Sequence, residues 1–466
     1  MKKIFKYIFI ICACAMILIP VALSNFKDGV ASELDNTKLP DFPVYNEYFA
    51  AHLEEYFSKR LGFRDGFITS YQMICLKGLG QLVHPQYMFG KNGQIYDDWD
   101  IENYQNLPAD MEYVENFKSY VKSIQEVSND YGADFVFLYV PNKETVLPEN
   151  FPDGYTVYDA PNRSDILMKS FEEAGINYID TRDTFKKEKN SKQLFNDKFD
   201  SGHWNKKGAL FASKLLVNDY LIKFHPEMGE LKDEEFIFTE KVEPYLLNSR
   251  IPINETVPEY NLANDKTIDD GSEFFKELMY AKNSYARHFV NPEKKDLPRI
   301  LILGDSYFGN SNSENFYKNH SSEIIMLHGY NDIYMSYYIS SFKPDIVIFE
   351  GVERAIGFND NQYATNIIKN SFVSRSMMDE LVVRTYADEE LESDTASLDI
   401  DKTKEHFSVK GTLDTDVNTL IADVGENRYY AAINPETREY VFTFRVEDLL
   451  KTDKIEYKVV TGDGSV

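Results

Sequence analysis

The sequence has few cysteines, a deficit of basic residues, and only one long hydrophobic run. Its cysteines are Cys12 and Cys14, both inside that run, and Cys75, so no disulfide framework can hold the rest of the chain together. With 50 Lys and Arg against 76 Asp and Glu, the net charge is −26, which disfavours nucleic acid as a partner because phosphate contacts need cations. The sequence has no zinc-ligand spacing, phosphate loop or dinucleotide fingerprint, so we expect no metal and no cofactor.

The composition nevertheless allows a large folded core. Hydrophobic residues make up 43% of the 466 positions and aromatic residues 14%, which excludes global disorder. A chain of this length usually exceeds a single domain, so we expect one large domain and one smaller domain.

The N-terminus has the pattern of a sequence that is inserted into a membrane. Three lysines precede an almost wholly apolar stretch from Tyr7 to Ser24, which is about long enough to span a bilayer. We predict that residues 1–24 are a signal peptide or a membrane anchor, and we favour the anchor. The remaining chain then lies at the extracytoplasmic face of the cell membrane, or is secreted if cleavage follows Ser24.

From about residue 110 the hydrophobic pattern alternates between helices and strands, within a domain that we expect to extend over residues 43–375. Continuous apolar runs at 134–140 and 299–303 predict strands that are buried on both faces, while residues 111–127 place apolar side chains on one helical face. Such alternation predicts an α/β domain with a parallel sheet and helices on both faces. An acidic linker over residues 25–42 is expected to precede it.

Three regions do not follow this alternation. Apolar pieces on either side of Asn92-Gly93 predict a β-hairpin with a tight turn at that dipeptide. Residues 225–298 show no clear period and are interpreted as a loop-rich insertion. Residues 389–466 contain short apolar stretches between turn signals, which predict a small antiparallel β domain.

The strongest chemical signal is Gly304-Asp305-Ser306, directly after the predicted strand at 299–303. In an open parallel sheet, ligands bind beyond the carboxyl ends of the strands, which is where Ser306 would lie. Gly304 permits a sharp turn, and backbone N–H groups after the turn, that of Tyr307 included, can point at an oxyanion. The same residues also suit a helix N-cap without catalytic function.

A second signal is Asp200-Ser201-Gly202-His203-Trp204-Asn205. An Asp three residues before a His can orient the imidazole, and the imidazole can then take a proton from a serine. Alternatively, the segment is only the start of a helix, with Asn205 as its cap and His203 exposed.

Together the two segments resemble the nucleophile and acid–base blocks of SGNH hydrolases, in reversed order along the chain. This permuted order is similar to the alginate O-acetyltransferase type of SGNH-like proteins, in which an Asp-x-His-Trp block precedes Gly-Asp-Ser. The resemblance extends over about residues 40–360 and includes Gly90-Lys91-Asn92-Gly93, Val140-Pro141-Asn142-Lys143 and Glu353-Arg354. It implies an SGNH-like parallel sheet flanked by helices, with a triad of Ser306, His203 and Asp200.

The chain departs from the family pattern at the acidic member of this triad. The family has one residue between its Asp and His, whereas this chain has two, so Ser201 stands where the family has Asp. Asp200 restores the spacing of ordinary SGNH esterases, and we predict that it orients His203. Asp197 is a weaker alternative.

The remaining candidates for oxyanion or substrate contacts follow the predicted strands. Ordinary SGNH enzymes place a Gly and an Asn after two later strands, whereas this chain has Glu353 where that Asn is expected. Because a carboxylate is a poor oxyanion donor, we expect backbone N–H groups near Ser306 to act with help from Gly329 or Asn331. Glu353 and Arg354 form a structural ion pair or touch the substrate. The other candidates are Tyr307, Asn142 and Lys143, of which Lys143 is either a substrate contact or a solvated loop residue.

The resemblance implies an extracytoplasmic O-acetyltransferase that moves acetyl groups onto hydroxyls of a surface or secreted polysaccharide through a serine acyl-enzyme. It also implies a multi-span membrane acyltransferase that supplies the acetyl groups. The same triad would serve an esterase that hands the acyl group to water. A third possibility is a polysaccharide-binding scaffold with a degenerate triad.

Overall fold

The computed structural model of the protein describes residues 2–460, except 33, 35–36, 106–109, 157–161, 248, 271–285, 329–333, 357–382, 386–392, 396–397, 414–418 and 435–436. Within these residues the α-helices are Lys2–Ala22 (α1), Phe49–Arg60 (α2), Arg64–Ile74 (α3), Asp98–Gln105 (α4), Met111–Asp130 (α5), Lys143–Val146 (α6), Arg163–Ala174 (α7), Arg182–Glu188 (α8), Lys206–Asp219 (α9), Ser306–Ser311 (α10), Met335–Phe342 (α11) and Val446–Leu449 (α12).

The strands in the same residues are Ala31–Ser32 (β1), Thr37–Lys38 (β2), Tyr87–Phe89 (β3), Ile95–Asp97 (β4), Asp134–Val140 (β5), Tyr178–Asp180 (β6), Phe236–Tyr245 (β7), Pro252–Leu262 (β8), Ile268–Asp269 (β9), Arg287–Val290 (β10), Arg299–Gly304 (β11), Glu323–His328 (β12), Ile346–Val352 (β13), Val383–Thr385 (β14), Ser393–Asp394 (β15), His406–Thr412 (β16), Thr419–Val424 (β17), Asn427–Tyr430 (β18), Ala432–Ile433 (β19), Glu439–Arg445 (β20) and Lys454–Val460 (β21).

A central sheet organises the main part of the molecule. In the described residues it has seven strands, in the order β6-β5-β13-β11-β12-β10-β9. The strands from β6 to β12 pair in parallel, whereas β10 and β9 are added antiparallel at one edge. The predicted α/β architecture with a parallel sheet is confirmed.

Helices cover both faces of this sheet, because alternate residues of each strand point to opposite sides. On β11, Leu301 and Leu303 pack with α5, α7 and α11, whereas Ile300 and Ile302 pack with α8, α9 and α10. This arrangement explains why the strands read as continuous apolar runs in the sequence. The apolar core stops at the carboxyl ends of β11 and β13, and polar residues follow there.

The predicted hairpin at Asn92-Gly93 is confirmed. Strands β3 and β4 pair antiparallel. Both turn residues have positive φ angles, 55° at Asn92 and 77° at Gly93, a conformation that Gly adopts freely and Asn tolerates better than most residues.

The interpretation of residues 225–298 as loop-rich is wrong for much of that region. Strands β7 and β8 form a long hairpin that pairs Phe236 with Leu262, and β10 joins the central sheet. Most of β7 is exposed on both faces, so its sequence carries no alternation of apolar and polar residues from which a strand could be predicted.

The C-terminal region consists of antiparallel strands, as predicted. Its described residues form two sheets, one in the order β14-β21-β17-β18 with β15 beside β21, the other in the order β16-β20-β19. Leu420, Phe442 and Tyr457 belong to a core of this region, whereas Ala432 and Val441 pack into the core that covers the central sheet.

Helix α1 projects from the folded body. Its residues 4–22 form an apolar stretch with a mean hydropathy of 2.5, and 6% of that stretch is buried. The helix is long and apolar enough to cross a membrane. The segment that follows it includes the short antiparallel pair β1 and β2.

Candidate active site

Ser306 lies at the turn between β11 and α10. The strand ends at Gly304, and Ser306 begins the helix, beyond the carboxyl end of the strand. A Cβ atom added at Gly304 would lie 2.9 Å from Cβ of Phe308, so a side chain at this position would collide with the helix. The glycine therefore allows the strand and the helix to approach closely enough to place Ser306 just beyond the carboxyl end of β11.

Two buried carboxyl groups accept hydrogen bonds from the backbone in and around this turn. The carboxylate of Asp305 accepts hydrogen bonds from the N–H groups of Tyr307 at 2.7 Å and Val352 at 2.9 Å. The N–H of Asp305 in turn donates to Oε2 of Glu350 at 3.0 Å. Burial raises the pKa of Glu350 well above its ordinary value, and the charge of Asp305 adds to this effect.

The bonds of Asp305 confirm one interpretation and correct another. Asp305 is the N-cap of α10, which the residue types favoured. Because the N–H of Tyr307 donates to this cap, the expectation that it points at an oxyanion is wrong. The side chain of Tyr307 is also buried, at 1% exposure.

His203 meets Ser306 from the loop between α8 and α9. Its Nε2 lies 2.9 Å from Oγ of Ser306, and its Nδ1 lies 2.6 Å from Oδ1 of Asp200. A carboxylate can only accept, so Nδ1 donates to Asp200 and Nε2 is left to accept the Ser306 hydroxyl proton. The structure thus brings together all three residues that the sequence singled out as a triad.

The backbone of Asp200 accommodates the additional residue before His203. Asp200 has a φ of 47°, in the left-handed region. This conformation costs about 1 kcal/mol for an L-residue, although Asp tolerates it better than most. Ser201, which occupies the family position of the Asp, is completely buried.

The two residues after His203 fix this loop to its neighbours. The indole N–H of Trp204 donates to the carbonyl of Tyr307 at 2.9 Å and lies 3.2 Å from Oγ of Ser311. Asn205 caps α9 by accepting two N–H groups of its first turn. The capping role suggested by the sequence therefore holds, and it helps to position the imidazole.

Arg354 brings a positive charge to the same point. Its Nη2 lies 3.3 Å from Nε2 of His203, while Nη1 donates to Oδ2 of Asp100 at 2.8 Å. Asp100 is only 1% exposed, so the ion pair is shielded from water on that side. Asn142 accepts from the backbone N–H of Arg354 at 3.2 Å, which makes Asn142 a support for Arg354.

The sequence interpretation missed Asn310. Its side-chain Nδ2 lies 3.2 Å from Nε2 of His203, so a second donor faces the pair of Ser306 and His203. Asn310 is four residues after Ser306 on the same helix, and residues at this spacing share a helical face. That spacing is the signal by which the residue could have been found.

Lys143 does not occupy either of its expected positions. Its Nζ donates to the backbone carbonyls of Ile95 at 2.8 Å, Asn196 at 2.7 Å and Asp197 at 3.0 Å. Burial lowers its pKa to about 8. Because all three donors are used inside the protein, the expectations of a substrate contact and of a solvated loop lysine are both wrong.

The other candidates lie elsewhere. The carboxylate of Asp197 accepts from the side chain of Gln94 at 2.7 Å, so this residue holds the β3–β4 hairpin. The carboxylate of Glu353 accepts from Ser164 at 2.9 Å and from Thr145, whereas Arg354 pairs with Asp100. The expected ion pair between the adjacent residues Glu353 and Arg354 is therefore wrong. Gly329 and Asn331 lie outside the described residues.

Comparisons with known proteins agree with the fold. Residues 88–327, more than half of the chain and including all three triad positions, match the family model described as "SGNH hydrolase-like domain, acetyltransferase AlgX". No curated protein sequence matches the chain.

Similar solved structures include the O-acetyltransferase domain of Pseudomonas putida AlgJ, which is 15% identical with a TM-score of 0.42, covering 61% of this chain and 99% of that one. Bacillus cereus PatB1 is 13% identical with a TM-score of 0.44, covering 59% and 97%. A DHHW family protein from Eubacterium siraeum is 17% identical with a TM-score of 0.42, covering 60% and 99%. On the strength of the family match, the chain belongs to the SGNH hydrolase-like family of the acetyltransferase AlgX.

Proposed function

We propose that this protein is an extracytoplasmic O-acetyltransferase that carries the acetyl group on Ser306 and transfers it to a hydroxyl of a polysaccharide. The observation that supports this most directly is the continuous hydrogen-bond chain from Asp200 through His203 to Ser306, at 2.6 and 2.9 Å. The arrangement satisfies the geometric requirement for an activated serine nucleophile, and the chain belongs to an acetyltransferase family.

In the first half-reaction, Oγ of Ser306 attacks the carbonyl carbon of the acetyl donor. Nε2 of His203 takes the serine proton and then gives it to the leaving group of the donor. In the second half-reaction a sugar hydroxyl attacks the acetyl-serine, and His203 takes the hydroxyl proton and returns it to Ser306. Asp200 keeps the imidazole in the required tautomer and stabilises the imidazolium between these transfers.

The negative charge that develops on the carbonyl oxygen of the acetyl group needs hydrogen-bond donors that are already in position. We assign this role to the guanidinium of Arg354 and the amide of Asn310, whose nitrogens lie 3.3 and 3.2 Å from Nε2 of His203. Charge-assisted donors are stronger than neutral ones, and Arg354 is held in place by Asp100. These side chains take the place of the Tyr307 N–H, which is committed to Asp305.

The N-terminus and the family membership support a proposal for the location and the acetyl donor. We propose that α1 is retained as an anchor, which holds the site close to the extracytoplasmic surface of the cell membrane. A multi-span membrane acyltransferase would pass acetyl groups across the bilayer and deliver them to Ser306. The apolar stretch over residues 4–22 and the acetyltransferase family support this arrangement.

The proposal is tested by mass spectrometry of the detergent-purified full chain after exposure to 4-nitrophenyl acetate, with and without an oligosaccharide acceptor. Ser306→Ala is the test variant, and Ser123→Ala, on the surface of α5, is the matched control. We expect an acetyl adduct on Ser306 in the control and wild type, and acetylated sugar when acceptor is present. Acetate release without acetylated sugar would indicate an esterase, and absence of any adduct would contradict both activities.

A further inference from the structure

The outer surface of α3 carries a stripe of large apolar side chains. Phe63, at the N-cap, and Phe67, Tyr71 and Ile74 follow one another at intervals of four, four and three residues, so they share one helical face. Their exposed fractions are 59%, 55%, 59% and 68%. An amphipathic helix of a water-soluble protein turns such a stripe toward its core, whereas this helix turns it outward.

The opposite side of α3 already packs against the protein. Gln72 is buried, at 4% exposure, so this side of the helix faces the protein and the apolar stripe is left outside. A set of four neighbouring apolar side chains, each more than half exposed, is more than the scattered single residues that every protein surface has.

Helix α2 packs against α3 and adds aromatic surface. Its inward residues Tyr56 and Arg60 are buried, whereas Phe57 is 49% exposed. The ring of Phe57 lies 6.2 Å from that of Phe26, which follows α1 in the chain and is itself 53% exposed. The aromatic surface of α2 therefore reaches the point where the chain leaves α1.

The end of α1 is fastened to the turn between α2 and α3. The carbonyl of Pro20 accepts from the N–H of Gly62 at 3.0 Å, and a Cβ atom added at Gly62 would lie 2.8 Å from Cβ of Leu23. The guanidinium of Arg60 donates to the carbonyls of Asn25 at 2.8 Å and Lys27 at 2.9 Å. These bonds fix the direction in which α1 leaves the body, and they place α2 and α3 beside its last turn.

This joint determines where a bilayer would meet the protein. The apolar stretch of α1 ends at Ala22, so the membrane surface would lie close to this residue and to the turn at Gly62. Aromatic side chains are favoured at the membrane–water boundary, and amphipathic helices lie in its plane with their apolar side inward.

We propose that the exposed face of α3, with the neighbouring aromatic side chains of α2, lies on the lipid bilayer that α1 spans. The inference rests on the retention of α1 that is part of the proposed function, but not on the chemistry of Ser306. Because α1 is fixed to the body, a second contact with the bilayer limits how far the body and its anchor can tilt together in the membrane. Ser306 would then keep a constant distance and orientation relative to the membrane surface.

The test places a fluorescent side chain on the stripe of the full chain. Phe67→Trp and Ile74→Trp are reconstituted in phosphatidylcholine nanodiscs whose acyl chains carry bromine, a short-range quencher of tryptophan. Leu450→Trp is the control, because Leu450 is 51% exposed in the C-terminal region. The native emission comes from two tryptophans and is measured in the wild type and subtracted.

We expect bromine to quench the added emission of Phe67→Trp and Ile74→Trp and to leave that of Leu450→Trp unchanged. Unquenched emission at both stripe positions would overturn the proposal, whether the stripe then meets water or is covered by another protein. Equal quenching at Leu450→Trp would also overturn it, because the body would have no fixed orientation. The intact mass of the reconstituted protein shows separately whether α1 is retained, and no acetyl transfer enters the measurement.

Discussion

A Cβ atom added at Gly202 would lie 2.9 Å from Nη1 of Arg354. The absence of a side chain next to His203 therefore makes room for the guanidinium, which pairs with Asp100 on its far side. Gly202 and Arg354 come from distant parts of the chain, and their approach places a permanent positive charge beside Ser306 and His203.

Gly202→Ala is expected to displace this guanidinium and to lower kcat for acetyl transfer. Misplacement of a catalytic group by about 1 Å can cost about 100-fold, so we expect a loss between 10-fold and about 100-fold. Gly66→Ala is the control, because a Cβ atom there meets nothing within 4 Å. Steady-state kinetics measure the effect, and equal rates for both variants would contradict the role given to Arg354.

Asp200→Asn tests which carboxylate orients the imidazole. An amide at this position no longer enforces the required tautomer of His203, and we expect kcat to fall by as much as about 10⁴-fold. Asp197→Asn is a matched control three residues away, since Asp197 bonds to Gln94. If Asp197→Asn lost more activity than Asp200→Asn, the assignment of the triad would be refuted.

The approach of Ser306, His203 and Asp200 could be predicted from the sequence because each of the two segments is encoded locally. A buried strand followed by Gly304-Asp305-Ser306 predicts both a helix cap and a candidate nucleophile at the carboxyl end of the strand. Both roles are compatible with the structure. The same holds for His203 and Asn205, where capping and positioning share one loop. The resemblance to a known family indicated that these two segments belong to one site.

The support around the triad could not be predicted, because it depends on contacts between distant parts of the chain. Arg354 bonds to Asp100, 254 positions away. The sequence singled out Arg354, but nothing in it pointed to Asp100 as its partner. Lys143 reaches carbonyls about 50 positions away in both directions, and only the fold reveals that its ammonium is buried. The fold was missed for the same reason at β10, whose place at the sheet edge depends on its pairing with β12.

Lys143→Met is expected to destabilise the protein without removing a group from the site. Three backbone carbonyls would lose their donor, and each unsatisfied buried polar group costs about 1–3 kcal/mol, so we expect a loss of about 3 kcal/mol or more. Urea unfolding measures this change. Lys186→Met, on the exposed surface of α8, is the control. An unchanged free energy of unfolding would contradict the structural role of Lys143.

Asp97→Asn is expected to change how stability depends on pH. Burial, together with the charge of Asp100, raises the pKa of Asp97 from 3.8 to about 6. Between these pH values the folded protein keeps a proton that the unfolded chain releases, so this group makes the native protein less stable as pH rises through the interval. Above pH 6 the penalty is constant.

The amide variant carries no such penalty. Its free energy of unfolding, relative to that of the wild type, should rise from about pH 4 to about pH 6 and then level off. Urea unfolding at several pH values measures the difference. Asp153→Asn, whose parent side chain is 95% exposed, serves as control and should show no comparable rise. A flat difference for Asp97→Asn would show that Asp97 titrates normally.

His203, the proposed base, lies 103 positions before Ser306, the proposed nucleophile, in the chain. A serine hydroxyl without a neighbouring base is a weak nucleophile, so Ser306 would react poorly with acyl donors while the chain is unfolded. The Asp200–His203 loop must dock on α10, through the bond of Trp204 to Tyr307, before the hydroxyl is activated. In the proposed mechanism, reactivity is thus coupled to completion of the fold, and a newly made chain would not be acetylated at Ser306 before it has folded.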